Sequence, residues 1–340
     1  MKQKQYYNEL NVLSGIAILC VLAIHGCGST LKTCYAGAAT YAAADVWLRA
    51  TSNLVAPAVP IFLFVSGFKF AANDTQTPYG AFLKKRLPRV LMSFAILNTL
   101  FWLLDSIKYM DSFDLILLAK TYLHSWVGYS VAYQLWYIPM YCSVIVLCPL
   151  VRRVIPSTVV RFYVFTAIGI LQRILEVHVP ILAIYPIRFI SYPVFFEFGS
   201  LAHERNWRAA LSTTKCYRLG GAYVLMVVLL SWFAPEHSVD GITKYVVYYF
   251  AGIVAMYSLS IAFINSRWLH WMGKLSYPLF LLHEPLIGRC VDVILARLPL
   301  FPPIMTAFLW VILTFAVTLF LIKILRKIKW NTILWEFAFS

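Results

Sequence analysis

The stretch Leu13–Gly28, LSGIAILCVLAIHGCG, is apolar almost throughout and then carries a histidine. All but its last residue lies within an apolar run over residues 10–27, long enough for a transmembrane helix, which takes roughly 17–25 residues. Fifteen residues separate Leu10 from His25. At about 1.5 Å of rise each, His25 stands roughly 22 Å across a hydrocarbon core of about 30 Å. Hydrocarbon has no water to serve an imidazole, so a polar side chain there needs a partner or a task. As a task, a neutral imidazole accepts a proton from a hydroxyl and returns it, with an unperturbed pKa of about 6.5. As a partner, it would simply bond a neighbouring helix or the headgroup region. The residue alone leaves both readings open.

The rest of the 340-residue chain has the same character: 61% of residues are hydrophobic and 13% charged, with a mean hydropathy of +0.75. Soluble domains carry roughly 25% charged residues. A soluble chain of this length could not bury so much apolar side chain. The fold class expected is an all-α polytopic membrane protein, with residues 1–340 as a single transmembrane domain and no appended soluble domain. The net charge of +15 does not point to nucleic acid, because the basic residues sit in short clusters between the apolar runs. None of the seven cysteines forms a C-x-x-C pair, and no metal site is expected. Cys27 and Cys34 are close enough in sequence to admit a disulfide. The first apolar run is too long for a signal peptide and leads straight into further spans.

Ten spans are predicted, over residues 10–27, 53–72, 88–107, 131–150, 157–176, 186–203, 217–234, 242–264, 275–296 and 303–325. The sixth carries Arg188, Pro193 and Glu197, and the ninth carries Pro278 and Pro285. Such breakers and charges are tolerated where neighbouring helices or a cavity satisfy them. Alternate loops are rich in Lys and Arg: Lys2 and Lys4, Lys84 to Arg86, Arg152 and Arg153, Arg205 to Lys215, Arg267 and Lys274, Arg326 to Lys329. The remaining loops hold few, among them Lys32, Lys108 and Lys244. This asymmetry puts both termini in the cytoplasm. Of the outer segments, 29–52 reads as a long connection and 108–130 has helical periodicity suited to the membrane surface.

Four further features carry chemistry. In VPIFLFVSGFKF (59–70) the pair Ser66-Gly67 lets backbones approach closely, and Lys69 follows. In KKRLPR (84–89), Arg86 and Arg89 lie one helical turn apart, so both guanidinium groups share a side. Such a pair suits bidentate recognition of phosphate, or else anchors the helix as snorkelling cations. In WMGKLSYPLFLLHEPLI (271–287), His283 and Glu284 lie near mid-membrane beside a proline break, as a functional site or as a buried structural pair. In YQLWYIPMY (133–141), Trp136 is either part of an aromatic belt or a stacking surface for a sugar. Glu197 is a further intramembrane acid.

These segments, in this order, resemble the acyltransferase family 3 membrane proteins, which O-acylate bacterial surface polysaccharides. LNVLSGIAILCVLAIH resembles that family's opening helix ending on its functional histidine, matched here by His25. VPIFLFVSGF, KKRLPR, QLWYIPMY and MGKLSYPLFLLHEPLI follow at the family's spacing, from residue 8 to about 290. The resemblance implies an enzyme that moves an acyl group, usually acetyl, from cytoplasmic acyl-CoA to a hydroxyl of a lipid-linked or exported glycan. His25 would be the general base, Arg86, Arg89, Ser66, Gly67 and Lys69 would hold the donor, and His283, Glu284, Glu197 and Trp136 would support the acceptor side. It implies acyl-CoA as co-substrate and no bound cofactor, a bacterial inner-membrane location, contact with membrane lipids, and no nucleic-acid partner; a homodimer is compatible with it. The chain departs from the family where Ser14 replaces an arginine, Asn11 an acidic residue and Gln134 a histidine. Loss of the arginine also fits a transporter-like conduit or an inactive partner in glycan export.

Overall fold

The computed structural model describes residues 6–34, 42–109, 114–126, 133–176, 178–179, 187–234, 241–295, 297 and 302–327. The described residues form helices and no strand. Eight helices among them are long and apolar enough to cross a membrane. The chain is therefore an all-α, multi-pass membrane protein. Its first helix, α1 (Asn8–Cys34), runs past His25 for more than two turns. It is followed by α2 (Ala42–Leu54), α3 (Ala58–Asn73) and α4 (Tyr79–Tyr109). The expected connection over 29–52 is thus largely helical, in keeping with its alanines; residues 35–41 lie outside the described ones. In the segment after α4, α5 (Leu115–Trp126) is helical as its periodicity predicts, and Asp114 caps its start by accepting from the N–H groups of Ile116 and Leu117.

Next come α6 (Tyr137–Val154), α7 (Thr158–Leu175) and α8 (Pro193–Glu204), then α9 (Thr213–Phe233) and α10 (Phe250–Ala262). The chain closes with α11 (Arg267–Leu282), α12 (Gly288–Leu295) and α13 (Pro303–Lys327). The sixth and ninth predicted spans are not continuous helices. With 12 residues, α8 rises only about 18 Å, short of a membrane. Pro193 stands at its first turn, where the missing N–H is harmless. Nearly all of α8 is buried, so it is a core helix rather than a lipid-facing one. The ninth span breaks at His283–Ile287, where Glu284 leaves helical geometry beside Pro285, and resumes as α12.

Glycines set how closely the central helices cross. A Cβ on Gly67 would overlap the Phe196 carbonyl oxygen, and one on Gly199 the Phe64 carbonyl oxygen, so α3 and α8 meet backbone to backbone. Ser200 Oγ fixes that crossing by donating to the Gly67 carbonyl at 3.1 Å. The same device joins α1 to α11. There Gly15 lies on the Leu269 carbonyl and Gly273 on the Asn11 carbonyl. Asn11 donates to the His270 carbonyl at 3.0 Å and bonds His270 Nδ1 at 3.0 Å.

Two expectations change on this scaffold. Glu197 is not on the acceptor side but in a buried ion pair with Arg161 at 3.0 Å. Arg161 also donates to the Ile155 and Pro156 carbonyls and to Thr158 Oγ1, so the charge is fully engaged. Cys27 is a buried free thiol packed on Leu48 and Ala307. Seven residues along one helix put Cys34 roughly 10 Å further on, beyond the span of a disulfide; the Cys34 side chain is outside the described residues. So are Lys2, Lys4 and Lys329 and the side chains of Lys32 and Lys108, all used in orienting the chain.

Alanine substitution separates crossing glycines from idle ones. A Cβ added at Gly221 would meet nothing within 4 Å, so Gly221→Ala should leave melting temperature unchanged or raise it, alanine being the better helix former by roughly 0.5–1 kcal/mol. Gly273→Ala must push α1 from α11 and should cost about 1–3 kcal/mol, read as a lower melting temperature.

Candidate active site

The α1–α11 crossing puts two histidines at one level. Both helices run in the same direction, and His25 and His283 each lie ten residues beyond the crossing glycine, Gly15 and Gly273 respectively. Their rings meet edge to face with centroids 4.9 Å apart. His283 is fully buried, and its Nδ1 lies 2.9 Å from the carbonyls of both Leu279 and Phe280. Two carbonyl acceptors require the proton on Nδ1, so Nε2 carries the lone pair. No described group hydrogen-bonds that Nε2. A neutral His283 thus accepts at Nε2 and cannot donate to an oxyanion from it.

The break after α11 adds a carboxylate. Glu284 Oε1 lies 3.8 Å from His25 Nδ1, too long for a hydrogen bond. A proton on Nδ1 leaves Nε2 of an imidazole as the basic atom. His25 borders a cavity. That cavity, of about 170 Å³, is lined by Gln134, Trp136, Tyr137, Tyr192, Lys244 and Phe280 among others. Trp136 stacks on Phe189 and leans on Tyr192, which fixes its part of the cavity wall.

A second cavity, of about 230 Å³, collects cations. It is lined by Lys69 from α3 and by Arg86 and Arg89 from α4, with Ser66 and Tyr141. The two arginines do share one side of α4, as their spacing predicts. Asp74, which sequence reasoning missed, holds Arg86 Nη2 at 2.7 Å. Ser66 Oγ donates to the Phe62 carbonyl at 2.9 Å and stands 3.4 Å from Tyr141 Oη. Gly67 does not line this cavity; it belongs to the crossing with α8. Ser14 faces the same cavity and donates to the Leu10 carbonyl at 2.9 Å.

Tyr137 and Phe280 line both cavities and touch edge to face at 5.2 Å. Two rings therefore separate the cation cavity from the histidine cavity. The structure brings together His25, His283, Glu284 and Trp136 on one side, and Ser66, Lys69, Arg86 and Arg89 on the other. Glu197 joins neither. Gln134 and Lys244, which line the histidine cavity, were not among the predicted site residues. Gln134 was visible only as a departure from the family's histidine, and Lys244 only as one of the few cations in an outer loop. Among the described residues no group of three or more His, Cys, Asp or Glu is arranged to hold a metal ion.

Comparison with known proteins bears on this arrangement. No match was found among curated proteins or among solved structures. Residues 7–326 match the sequence model of the acyltransferase 3 family, described as an acyltransferase domain. That match spans nearly the whole chain, from the residue before α1 to the last turn of α13, and with it the chain belongs to the acyltransferase 3 family and is a multi-pass membrane acyltransferase.

Proposed function

We propose that the protein O-acylates a lipid-linked or exported glycan in the bacterial inner membrane, using cytoplasmic acyl-CoA, with acetyl the usual group in such enzymes. The observation that carries this reading is the pair of cavities meeting at Tyr137 and Phe280. One offers cations suited to the donor's phosphates. The other offers a base suited to a sugar hydroxyl. Lys69, Arg86 and Arg89 supply the positive charge of the first, so Ser14 need not be the arginine found in relatives. A thin acyl-pantetheine arm passing between Tyr137 and Phe280 would bring its thioester to His25. Both termini then lie on the cytoplasmic side, with the cation cavity.

In this mechanism the glycan hydroxyl attacks the thioester carbonyl while His25 Nε2 takes its proton. The C–O bond forms, the tetrahedral intermediate collapses, and the C–S bond breaks. The imidazolium returns the proton to the departing thiolate, leaving an ester and free CoA. Glu284 steadies the imidazolium through Nδ1, and His283 holds the ring by its edge. A second reading, a conduit that moves a metabolite without chemistry, is favoured only by Ser14. It predicts passage of solute with no label left on glycan.

His25→Ala and His25→Gln should both insert and fold normally, yet lower acyl transfer by roughly 10²–10⁴, the usual range for a general base. Labelled acyl-CoA traced into glycan, beside melting temperature in detergent, checks this. Full transfer by His25→Gln would reduce the residue to a structural role.

For the donor cavity, Arg86→Ala and Arg89→Ala should each weaken acyl-CoA use by about 1.5–3 kcal/mol, the worth of a charge-assisted hydrogen bond. Lysine should rescue poorly if the contact is bidentate. A double alanine variant that binds acyl-CoA like the parent would leave both as helix anchors.

A further inference from the structure

The histidine cavity holds one cation with no counter-charge among the described residues. Lys244 lines it from the π-helical turn Lys244–Tyr249 that leads into α10. No carboxylate among the described residues pairs with its ammonium, and the charges acting on it are the guanidinium groups of Arg173 and Arg188. Arg173 is 4% exposed and lies over the Tyr245 ring at 5.6 Å, next to Lys244 in sequence. Its Nη2 donates to Ser191 Oγ at 3.4 Å, beside the cavity-lining Tyr192.

Both arginines share a single acid. Glu176 Oε1 is 3.1 Å from Arg173 Nη1 and 3.8 Å from Arg188 Nη2. Among the described residues, three cations stand against one carboxylate here, and of the three Lys244 lines the cavity. The Nε atoms of Arg173 and Arg188 are buried with no hydrogen-bond partner. Uncompensated charge in a membrane-embedded protein is costly and marks a functional site. Gln134 is independent evidence that the cavity receives something polar. It is 2% exposed, lines the cavity, and neither its Oε1 nor its Nε2 has a partner. A buried amide left unmade in the free protein is satisfied when a ligand fills the space.

We infer that the histidine cavity ends in an anion subsite centred on Lys244, under the nearby charges of Arg173 and Arg188, which takes a carboxylate or phosphate carried by the acceptor while Gln134 bonds a neighbouring hydroxyl. The inference rests on the reading of this cavity as the acceptor side. The anion comes either from an acidic sugar or from the phosphate of a lipid-linked one. Lys244 is a specificity residue here and takes no part in the proton transfer at His25.

The test is thermal unfolding of the full-length protein in detergent at constant ionic strength, without acyl-CoA. The probes are methyl glucuronide, glucose 1-phosphate and methyl glucoside. At about ten times its dissociation constant a bound anion should raise the melting temperature by roughly 1–3 °C. Methyl glucoside should raise it less or not at all. A response to the glucuronide identifies the carboxylate as the source, and a response to the sugar phosphate identifies the phosphate. Lys244→Met should abolish the response, Lys244→Arg should keep it, and ligand-free Lys244→Met should melt no lower than the parent because a repelled cation has been removed. His25→Ala and the Arg86→Ala/Arg89→Ala variant should both retain the response, which separates this subsite from the chemistry and from the donor cavity. The inference is overturned if neither anion stabilises the parent or if the response survives in Lys244→Met. It is equally overturned if ligand-free Lys244→Met melts lower, or if the response disappears with Arg86 and Arg89.

Discussion

The contact of α1 with α11 through Gly15 and Gly273 is the constraint from which the site follows. Two helices whose backbones touch cannot slide, because the Leu269 and Asn11 carbonyls occupy the places where side chains would otherwise be. The equal ten-residue offsets then carry His25 and His283 to the same height, roughly 15 Å further along both axes. Asn11 bonded to His270 closes the same register from the other end. The imidazole pair is thus set by helix geometry and needs no direct hydrogen bond between the rings. The break at His283–Ile287 then turns Glu284 toward His25 at the one place where an unbroken helix would have pointed it elsewhere.

Charge is distributed about that contact with a clear division. Cations line the cavity nearer the start of α1, with Asp74 tying Arg86 in place. A second set stands at the far end around Glu176. Between them stand Tyr137 and Phe280, which line both cavities, and His25 lines the second. The buried Arg161–Glu197 pair belongs to neither set. All three guanidinium nitrogens of Arg161 donate, and breaking such a pair is expensive while its presence adds little net stability. It fixes how α7 sits on α8.

Hydropathy made most of the fold legible, because hydrocarbon admits helices and little else. Prolines and charges pointed to the two broken segments, though not to the fact that α8 is a short core helix. Spacing put Arg86 and Arg89 on one side of α4. What a linear reading could not supply was the pairing of residues 258 positions apart, His25 with His283. The signal was nonetheless present, as a glycine ten residues before each histidine on parallel spans. Glu197 was misread because its partner, Arg161, sits where any span start carries a basic anchor. Gly67 was read correctly as permitting close approach but assigned to the donor, when the backbone it meets is that of α8. Lys244 and Gln134 passed unnoticed because a lone cation in a loop and an amide beside a tryptophan look ordinary until both face one cavity.

The central claim is that donor and acceptor reach His25 from opposite membrane faces. Sealed vesicles carrying the protein in a single known orientation, with glycan acceptor on one side and labelled acyl-CoA on the other, test it most directly. The account predicts label in glycan only when acyl-CoA is on the side of the α1 start, Ser14 and Arg86, with the acceptor on the side of Lys244. Transfer with the two exchanged, or equally from either side, would contradict it.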